Sequence, residues 1–125
     1  IYRLLYDGKS GRLTCFADLR MNLAQLLFYA IAPVKAPEDT RLAVCEYITR
    51  ANFNMRIGNF ELDFSDGEVR YKSSLDFEGG ELLPSLIRNT IYPAVNTMDR
   101  YMPGLMSVIY GGKTPFEAID DIEGN

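Results

Sequence analysis

At 125 residues the chain has the length of one ordinary domain, long enough to bury a real core. Apolar residues make up 47% and charged residues 24%, a balance that excludes disorder and fibrous repeats. The formal net charge is −4 and the thirteen Lys and Arg residues are scattered, so the sequence does not predict binding to nucleic acid or to anionic membranes.

The first third of the chain predicts three strands. Strand formers fill residues 2–7, turn residues fill 7–11, and apolar and polar residues alternate over 12–18, which together predict a β-hairpin. Residues 21–32 combine a helix-favouring start with a strand-favouring end, and we interpret the segment as a strand. Because it is apolar on both faces from Leu26 onward, it should be covered on both sides.

Pro37 and the two acids after it predict the start of a helix, since proline suits the first turn and acids favour the positive end of the helix dipole. Asn52 can end this helix. The predicted buried stripe repeats every three residues: Leu42, Cys45, Ile48 and Ala51, widened by Val44 and Tyr47.

A second hairpin is predicted over residues 58–77. Asp66-Gly67 is a preferred two-residue turn, and folding the chain there places charges on one face and apolar side chains on the other. The predicted pairs are Asp63 with Arg70, Glu61 with Lys72, Leu62 with Tyr71, and Phe64 with Val69.

Helical periodicity returns at Glu81 and continues to Val108. Pro93 should kink this helix, and Pro103-Gly104 should bend or break it. Its predicted core stripe is Leu83, Ile87, Ile91, Ala94, Met98, Tyr101, Leu105 and Val108. Thr114 and Glu117 then predict a capping box. The short helix that it opens should bury Phe116, Ile119 and Ile122.

The resulting order is ββ(β)αββαα, with hairpins in place of parallel crossovers. It predicts a single α+β domain over residues 1–125, in which helices cover one face of an antiparallel sheet.

The sequence contains few of the residue types and motifs that catalysis commonly uses. The chain has no histidine, which removes the usual general base, the usual activator of a nucleophile and the commonest metal ligand. The alternation places Glu61 and Asp63 beside Arg70 and Lys72 on a solvated charge face. No EF-hand spacing and no phosphate-binding glycine motif occurs. We therefore expect no enzyme, no metal site and no cofactor.

The two cysteines, Cys15 and Cys45, do not have CxxC spacing, and two are too few for a disulfide framework. We interpret them as free thiols in a reducing, cytoplasmic compartment. No signal peptide is evident, and the longest apolar run, residues 26–34, has about half the length of a membrane span. The chain starts at Ile1 and not at Met, so residues upstream of it stay an open question.

Methionines carry the main signal for a binding surface. Met98, Met102 and Met106 recur every four residues, and the last two lie about a hundred degrees round the helix from the core stripe. They either fill core gaps or form an adaptable apolar patch for a partner. The candidate contacts for a protein partner or a dimer are Leu26, Phe28, Met102, Met106 and Tyr110.

Five stretches, taken in order and spacing, resemble the YbjN family of bacteria and its cyanobacterial branch in particular. They are Arg50-Ala51-Asn52-Phe53, Gly58-Asn59-Phe60-Glu61-Leu62-Asp63, Asp66-Gly67-Glu68-Val69-Arg70-Tyr71-Lys72, Tyr101-Met102-Pro103-Gly104, and Pro115 followed by Glu117-Ala118-Ile119. The resemblance covers residues 36–123. It implies a fold similar to type III secretion chaperones, a five-stranded antiparallel sheet with helices on one side, and supports a strand over 21–32.

The resemblance also implies a role. The family is described as one of sensory-transduction regulators, without enzymatic activity or a catalytic motif to carry over, and the related chaperones dimerise and bind extended segments of partner proteins. Such proteins usually have a helix before the first strand. Nothing precedes Ile1 here, so we expect that helix to be missing, which would leave part of the sheet uncovered.

Three functions of different classes follow. The first is a non-enzymatic interaction module, chaperone-like or regulatory, that binds an unidentified protein partner and forms a homodimer. The second is a small-ligand-binding domain or an uncharacterised enzyme, with a pocket between the sheet and the long helix lined by Tyr71, Tyr92 and Tyr101. A structural domain of a larger assembly is a third. A deep pocket with convergent polar groups would favour the second function, and a filled interface the first.

Overall fold

A computed structural model describes residues 1–124 and confirms the α+β fold and the predicted order of elements. Its five strands form one antiparallel sheet in the order β1-β2-β3-β5-β4. The strands are β1 (Tyr2–Gly8), β2 (Gly11–Arg20), β3 (Gln25–Lys35), β4 (Asn59–Leu62) and β5 (Glu68–Asp76). The helices are α1 (Arg41–Asn52), α2 (Pro84–Ile109) and α3 (Pro115–Glu123), with short 3-10 turns at Met21–Leu23 and Glu38–Thr40.

Helices α1 and α2 pack on one face of the sheet, where alternate strand residues are buried, and α3 packs against these two helices. Cys15, Phe28 and Tyr71 from the sheet meet Val95 and Met98 from α2 in this core. No helix of residues 1–124 covers the other face. The expectation that β3 is covered on both sides is therefore wrong, and its outward side chains are half-buried by their neighbours in the sheet. Within residues 1–124, none of the helices is long and apolar enough to cross a membrane.

The hairpin of β4 and β5 forms, but the predicted register is wrong by two residues. Glu61 lies opposite Arg70 and Leu62 opposite Val69, so four residues and not two form the loop between Asp63 and Glu68. A shift of two keeps the side chains of β4 and β5 on their predicted faces, because strand side chains alternate with a period of two. Phe64 is the exception: it lies in the loop and is 51% exposed, so its predicted pairing with Val69 is wrong. Glu61 still pairs with both basic side chains of the charge face: its carboxylate lies 2.9 Å from Arg70 Nε and 3.0 Å from Lys72 Nζ.

Helix α1 begins four residues later than Pro37 because a 3-10 turn precedes it. Its buried side is formed by Val44, Tyr47, Ile48 and Ala51. The prediction of a buried Leu42 is wrong, since this side chain in the first turn of α1 is 79% exposed. Asn52 ends the helix as predicted.

Helix α2 runs through both prolines, so of the two outcomes predicted at Pro103-Gly104, a bend or a break, the break is wrong. Gly104 serves a close approach between helices. A Cβ at this position would lie 2.2 Å from the hydroxyl of Tyr47. With glycine there, that hydroxyl donates a 2.7 Å hydrogen bond to the carbonyl of Tyr101 and joins α1 to α2.

Helix α3 begins with the predicted capping box. The Thr114 hydroxyl accepts from the backbone N–H of Glu117, and the Glu117 carboxylate accepts from that of Thr114. The predicted burial of Phe116 is wrong: its ring is 61% exposed, and Ala118 is the buried residue of this helix. The ring instead lies 5.4 Å from the guanidinium carbon of Arg50.

Candidate functional site

Few side chains could act as a nucleophile, a base or a metal ligand. The sequence has no histidine, and among residues 1–124 no three Cys, Asp or Glu side chains are grouped to hold a metal ion. Cys15 lies in the core, where burial raises the pKa of its thiol to about 11, so the thiol is protonated near neutral pH.

One surface is the edge of the sheet formed by β1. Three of its apolar side chains are exposed, with 67% of Tyr2, 44% of Leu4 and 52% of Leu5 accessible. Apart from its pairing with β2, no hydrogen bond within residues 1–124 reaches the backbone of Tyr2–Asp7. An unpaired strand edge of this kind is a template for another strand.

The open face of the sheet continues this edge inward. Residues directly opposite each other on neighbouring strands share a face. The register therefore sets Leu5, Thr14 and Ile31 in one row and Arg3, Phe16 and Tyr29 in the next. On the far side of these rows, the guanidinium of Arg70 lies over the ring of Tyr29 at 4.3 Å. The apolar surface thus spans β1 to β3 and ends where the charges of β5 begin.

The turn between β1 and β2 is anchored to α2 by Asp99. The carboxylate of Asp99 accepts hydrogen bonds from the backbone N–H of Lys9 at 3.1 Å and of Ser10 at 2.8 Å. Its backbone carbonyl accepts from the Ser10 hydroxyl at 3.0 Å. That carbonyl is free because Pro103, four residues on, has no N–H to donate. The proline therefore leaves an acceptor in α2 that the hairpin uses.

The predicted contact residues are spread over different environments. Leu26, Phe28 and Met102 are buried in the sheet–helix core, so they cannot touch a partner while the domain stays folded. Met106 is half-buried, and Tyr110 is 67% exposed at the end of α2. Only these last two are accessible.

A cleft of about 560 Å³ lies between the end of α1, the loop before β4, the middle of α2 and the end of α3. Two of the three predicted pocket tyrosines line it. The Tyr71 hydroxyl donates to the carbonyl of Ile57, and the Tyr101 hydroxyl donates to the Glu123 carboxylate at 2.6 Å. Burial and then the hydrogen bond to Glu123 raise the pKa of Tyr101 to about 12. Tyr92 is 53% exposed and lies outside the cleft.

The cleft is rich in positive charge. Arg50, Arg56 and Arg100 line it, and Glu123 is the sole acidic lining residue within the described chain. Asn54 and Asn96 add amide groups to the wall, and the side chain of Thr97 adds a hydroxyl. This arrangement can bind an anion.

Sequence analysis missed both the Asp99 anchor and the arginines of the cleft. Asp99 was detectable, because it lies four residues before Pro103, where a helical proline leaves a carbonyl without a donor. The arginines were not, because they come from α1, a loop and α2, and no local pattern brings them together.

Comparison with protein-family models gives one match. Residues 3–106 match the YbjN model, described as "Putative bacterial sensory transduction regulator". No significant match was found among curated proteins or among solved structures.

Proposed function

Since the chain belongs to the YbjN family, whose description is that of a sensory-transduction regulator, we propose that it is a non-enzymatic regulatory module that binds a protein partner. The partner pairs an extended segment with the open edge of β1. The observation that carries this proposal is the exposed, unpaired backbone of β1 together with its exposed apolar side chains.

Strand addition suits this edge. The partner's backbone would bond to the outward N–H and C=O groups of β1, and this main-chain pairing would supply affinity. The partner's alternate side chains would lie beside Leu5 and Arg3 on the open face, next to the apolar rows that reach Ile31 and Tyr29. Those rows would supply selectivity for an apolar segment. This is the chaperone-like mode that the family resemblance implies.

A second copy of the chain satisfies the same chemistry. Two β1 strands can pair antiparallel about a twofold axis, because such an interface is self-complementary. Each copy would cover the apolar side chains of the other's β1, and one continuous sheet would replace two open edges. We therefore propose a homodimer through β1, which a partner segment would displace.

The remaining expectations accompany this proposal. Two free cysteines support a reducing, cytoplasmic location. The net charge of −4 supports a protein partner over nucleic acid or an anionic membrane.

The test uses Leu4→Lys combined with Leu5→Lys, because lysines in an edge strand disfavour pairing with another strand. The matched control is Leu42→Lys, the same substitution at an exposed leucine of α1. We expect the dimer dissociation constant, measured by size-exclusion chromatography with light scattering over a concentration series, to rise roughly tenfold or more in the double variant only.

Two results would refute the proposal. One is a wild-type chain that stays monomeric at every concentration and captures no protein from its native lysate. The other is an equal loss of association in Leu42→Lys, which would assign the effect to added charge and not to the β1 edge.

A further inference from the structure

We propose that the arginine-lined cleft binds a small organic molecule that carries a phosphate or carboxylate group, held by the guanidinium groups of Arg56 and Arg100. The site is separate from the β1 edge, and it is occupied by a metabolite-sized ligand and not by a protein segment.

The charge of the cleft argues for an anion. Three of the chain's thirteen basic residues line it, although the whole protein carries a net charge of −4. Glu123 is already engaged, since its carboxylate accepts a hydrogen bond from the Tyr101 hydroxyl. All three basic residues are arginines, whose planar fork of N–H donors matches two oxygens of a carboxylate or phosphate.

The three arginines differ in how far they are already satisfied. Arg50 is committed to Glu46, with 2.8 Å between Nε and the carboxylate, and lies against Phe116. Arg100 makes one long contact of 3.5 Å to the carbonyl of Ile122 and lies 5.2 Å from the ring centre of Tyr101.

Arg56 forms no ion pair or hydrogen bond with any residue of the described chain. Because a guanidinium carries five N–H donors, most of those on Arg56 and Arg100 are available to a ligand.

Helix termini do not account for this set of arginines. Cations near the carboxyl ends of helices complement the helix dipole. That role accounts for the position of Arg50 in the last turn of α1. It also accounts for the hydrogen bond of Arg100, which reaches a carbonyl at the end of α3. It leaves Arg56 unexplained, because this residue lies beyond α1, in the loop before β4.

The size and lining of the cleft point to an organic ligand and not to a free inorganic ion. Its volume of about 560 Å³ is within the range of small-molecule sites, roughly 300 to 1,000 Å³. Met55, Ile57 and Pro93 supply apolar wall on which the body of a ligand can pack. Asn54 and Thr97 supply the few directional polar groups that orient one.

The experiment is calorimetric titration of the full chain with three probes: adenosine monophosphate, citrate and inorganic phosphate, each against potassium chloride of equal ionic strength. We expect saturable binding of adenosine monophosphate or citrate that is clearly tighter than that of inorganic phosphate. Comparing the affinities for adenosine monophosphate and for citrate then shows whether the cleft prefers a phosphate or a carboxylate group.

The variants are Arg56→Gln and Arg100→Gln, with Arg88→Gln as the matched control on an exposed part of α2 outside the cleft. Each cleft variant should weaken binding about tenfold, the loss expected for a charged hydrogen-bonding group, while the control binds as wild type.

The proposal is overturned if neither organic probe binds saturably at millimolar concentration, or if Arg88→Gln weakens binding as much as the cleft variants. It is also overturned if inorganic phosphate binds as tightly as the organic probes. If a cleft variant fails to fold, the wild-type chain decides: amide NMR shifts confined to the cleft lining, at Asn54, Arg56, Thr97 and Arg100, support the site, and shifts confined to other parts of the chain refute it. None of these outcomes depends on whether β1 pairs with a partner.

Discussion

The two edges of the sheet differ in length and in what covers them. β4 has four residues, and the side chain of Asn52 occupies its free edge. The Asn52 amide accepts from the N–H of Phe60 at 2.7 Å and donates to the Phe60 carbonyl at 3.1 Å. β1 has seven residues, and within residues 1–124 no side chain bonds to its backbone in this way.

The difference indicates which edge can accept a strand. A strand that approached β4 would have to displace a two-point contact made by an asparagine fixed at the end of α1. One that approached β1 would break no hydrogen bond that residues 1–124 make to its outer edge. Natural proteins block the sheet edges that should stay single. Within residues 1–124, one edge is blocked and the other carries no such block.

Removing the amide that blocks β4 has the largest expected effect. Asn52→Ala leaves the Phe60 N–H without an acceptor, while the carbonyl keeps a hydrogen bond from Asn59. We expect the free energy of unfolding to fall by about 1.5 kcal/mol, measured by urea denaturation. The amide of Phe60 should then exchange its hydrogen faster.

The matched control is Asn54→Ala, an exposed asparagine in the following loop, with a change within about 0.5 kcal/mol. If Asn52→Ala behaved like this control, the blocked edge would not depend on Asn52, and the contrast between the edges would lose its physical basis.

Releasing the anchor of β1 has a smaller expected effect. Asp99→Ala removes the acceptor of two backbone N–H groups, a loss of about 1.5 kcal/mol, and gains about 0.5 kcal/mol of helix propensity. The net destabilisation should be about 1 kcal/mol in urea denaturation, with faster hydrogen exchange over β1 and β2.

Ser10→Ala removes only the hydroxyl that reaches the Asp99 carbonyl, so its cost should be about 0.5 kcal/mol. The reverse order, with Ser10→Ala the more damaging, would contradict the anchor as described.

The smallest expected effect is a pH dependence at the β4–β5 pair. Burial raises the pKa of Glu61, but the hydrogen bonds and charges of Lys72 and Arg70 outweigh it, so the net pKa lies below its ordinary value of 4.5. A lowered folded-state pKa stabilises the domain above the unfolded-state pKa. This stability is lost as the pH falls through the folded-state value.

Glu61→Gln should therefore flatten the stability profile below about pH 4.5 by less than about 1 kcal/mol, since the pair is partly exposed. Glu38→Gln removes the same charge from an exposed 3-10 turn and so controls for the change in net charge. An unchanged slope in Glu61→Gln would show that these ion pairs do not tie β4 to the sheet.

Local chemistry was readable from the sequence. The capping box at Thr114 depends on residues three apart, and the alternation placed the side chains of β4 and β5 on their observed faces. The β4–β5 register was not readable, because a shift of two residues preserves that alternation. The observed loop is also part of a contact across the fold, which the local pattern does not contain: the carbonyl of Gly67 accepts a 2.8 Å hydrogen bond from the N–H of Ala36.

The errors in the predicted buried faces of the helices have a common physical cause. Sequence periodicity defines one buried stripe per helix, yet α2 packs against the sheet, α1 and α3 together. Its buried arc is therefore wide enough to include Met102, which the stripe placed to one side. Leu42 and Phe116 lie in the first turns of α1 and α3. Both are exposed, because the buried packing of these helices does not extend to their first two residues. The arginine cleft was invisible for the same reason, since only tertiary packing assembles it.

The Asp99 carbonyl, which Pro103 leaves without a donor in α2, also bears on how the domain folds and locally unfolds. Ser10 and Asp99 are 89 positions apart in the chain, so closing this contact is entropically slow. The contact requires a finished helical turn on one side and a finished hairpin on the other. Fluctuations that unwind this part of α2 must therefore release the hairpin in the same event, which joins the chain's first strands and its longest helix into one cooperative unit.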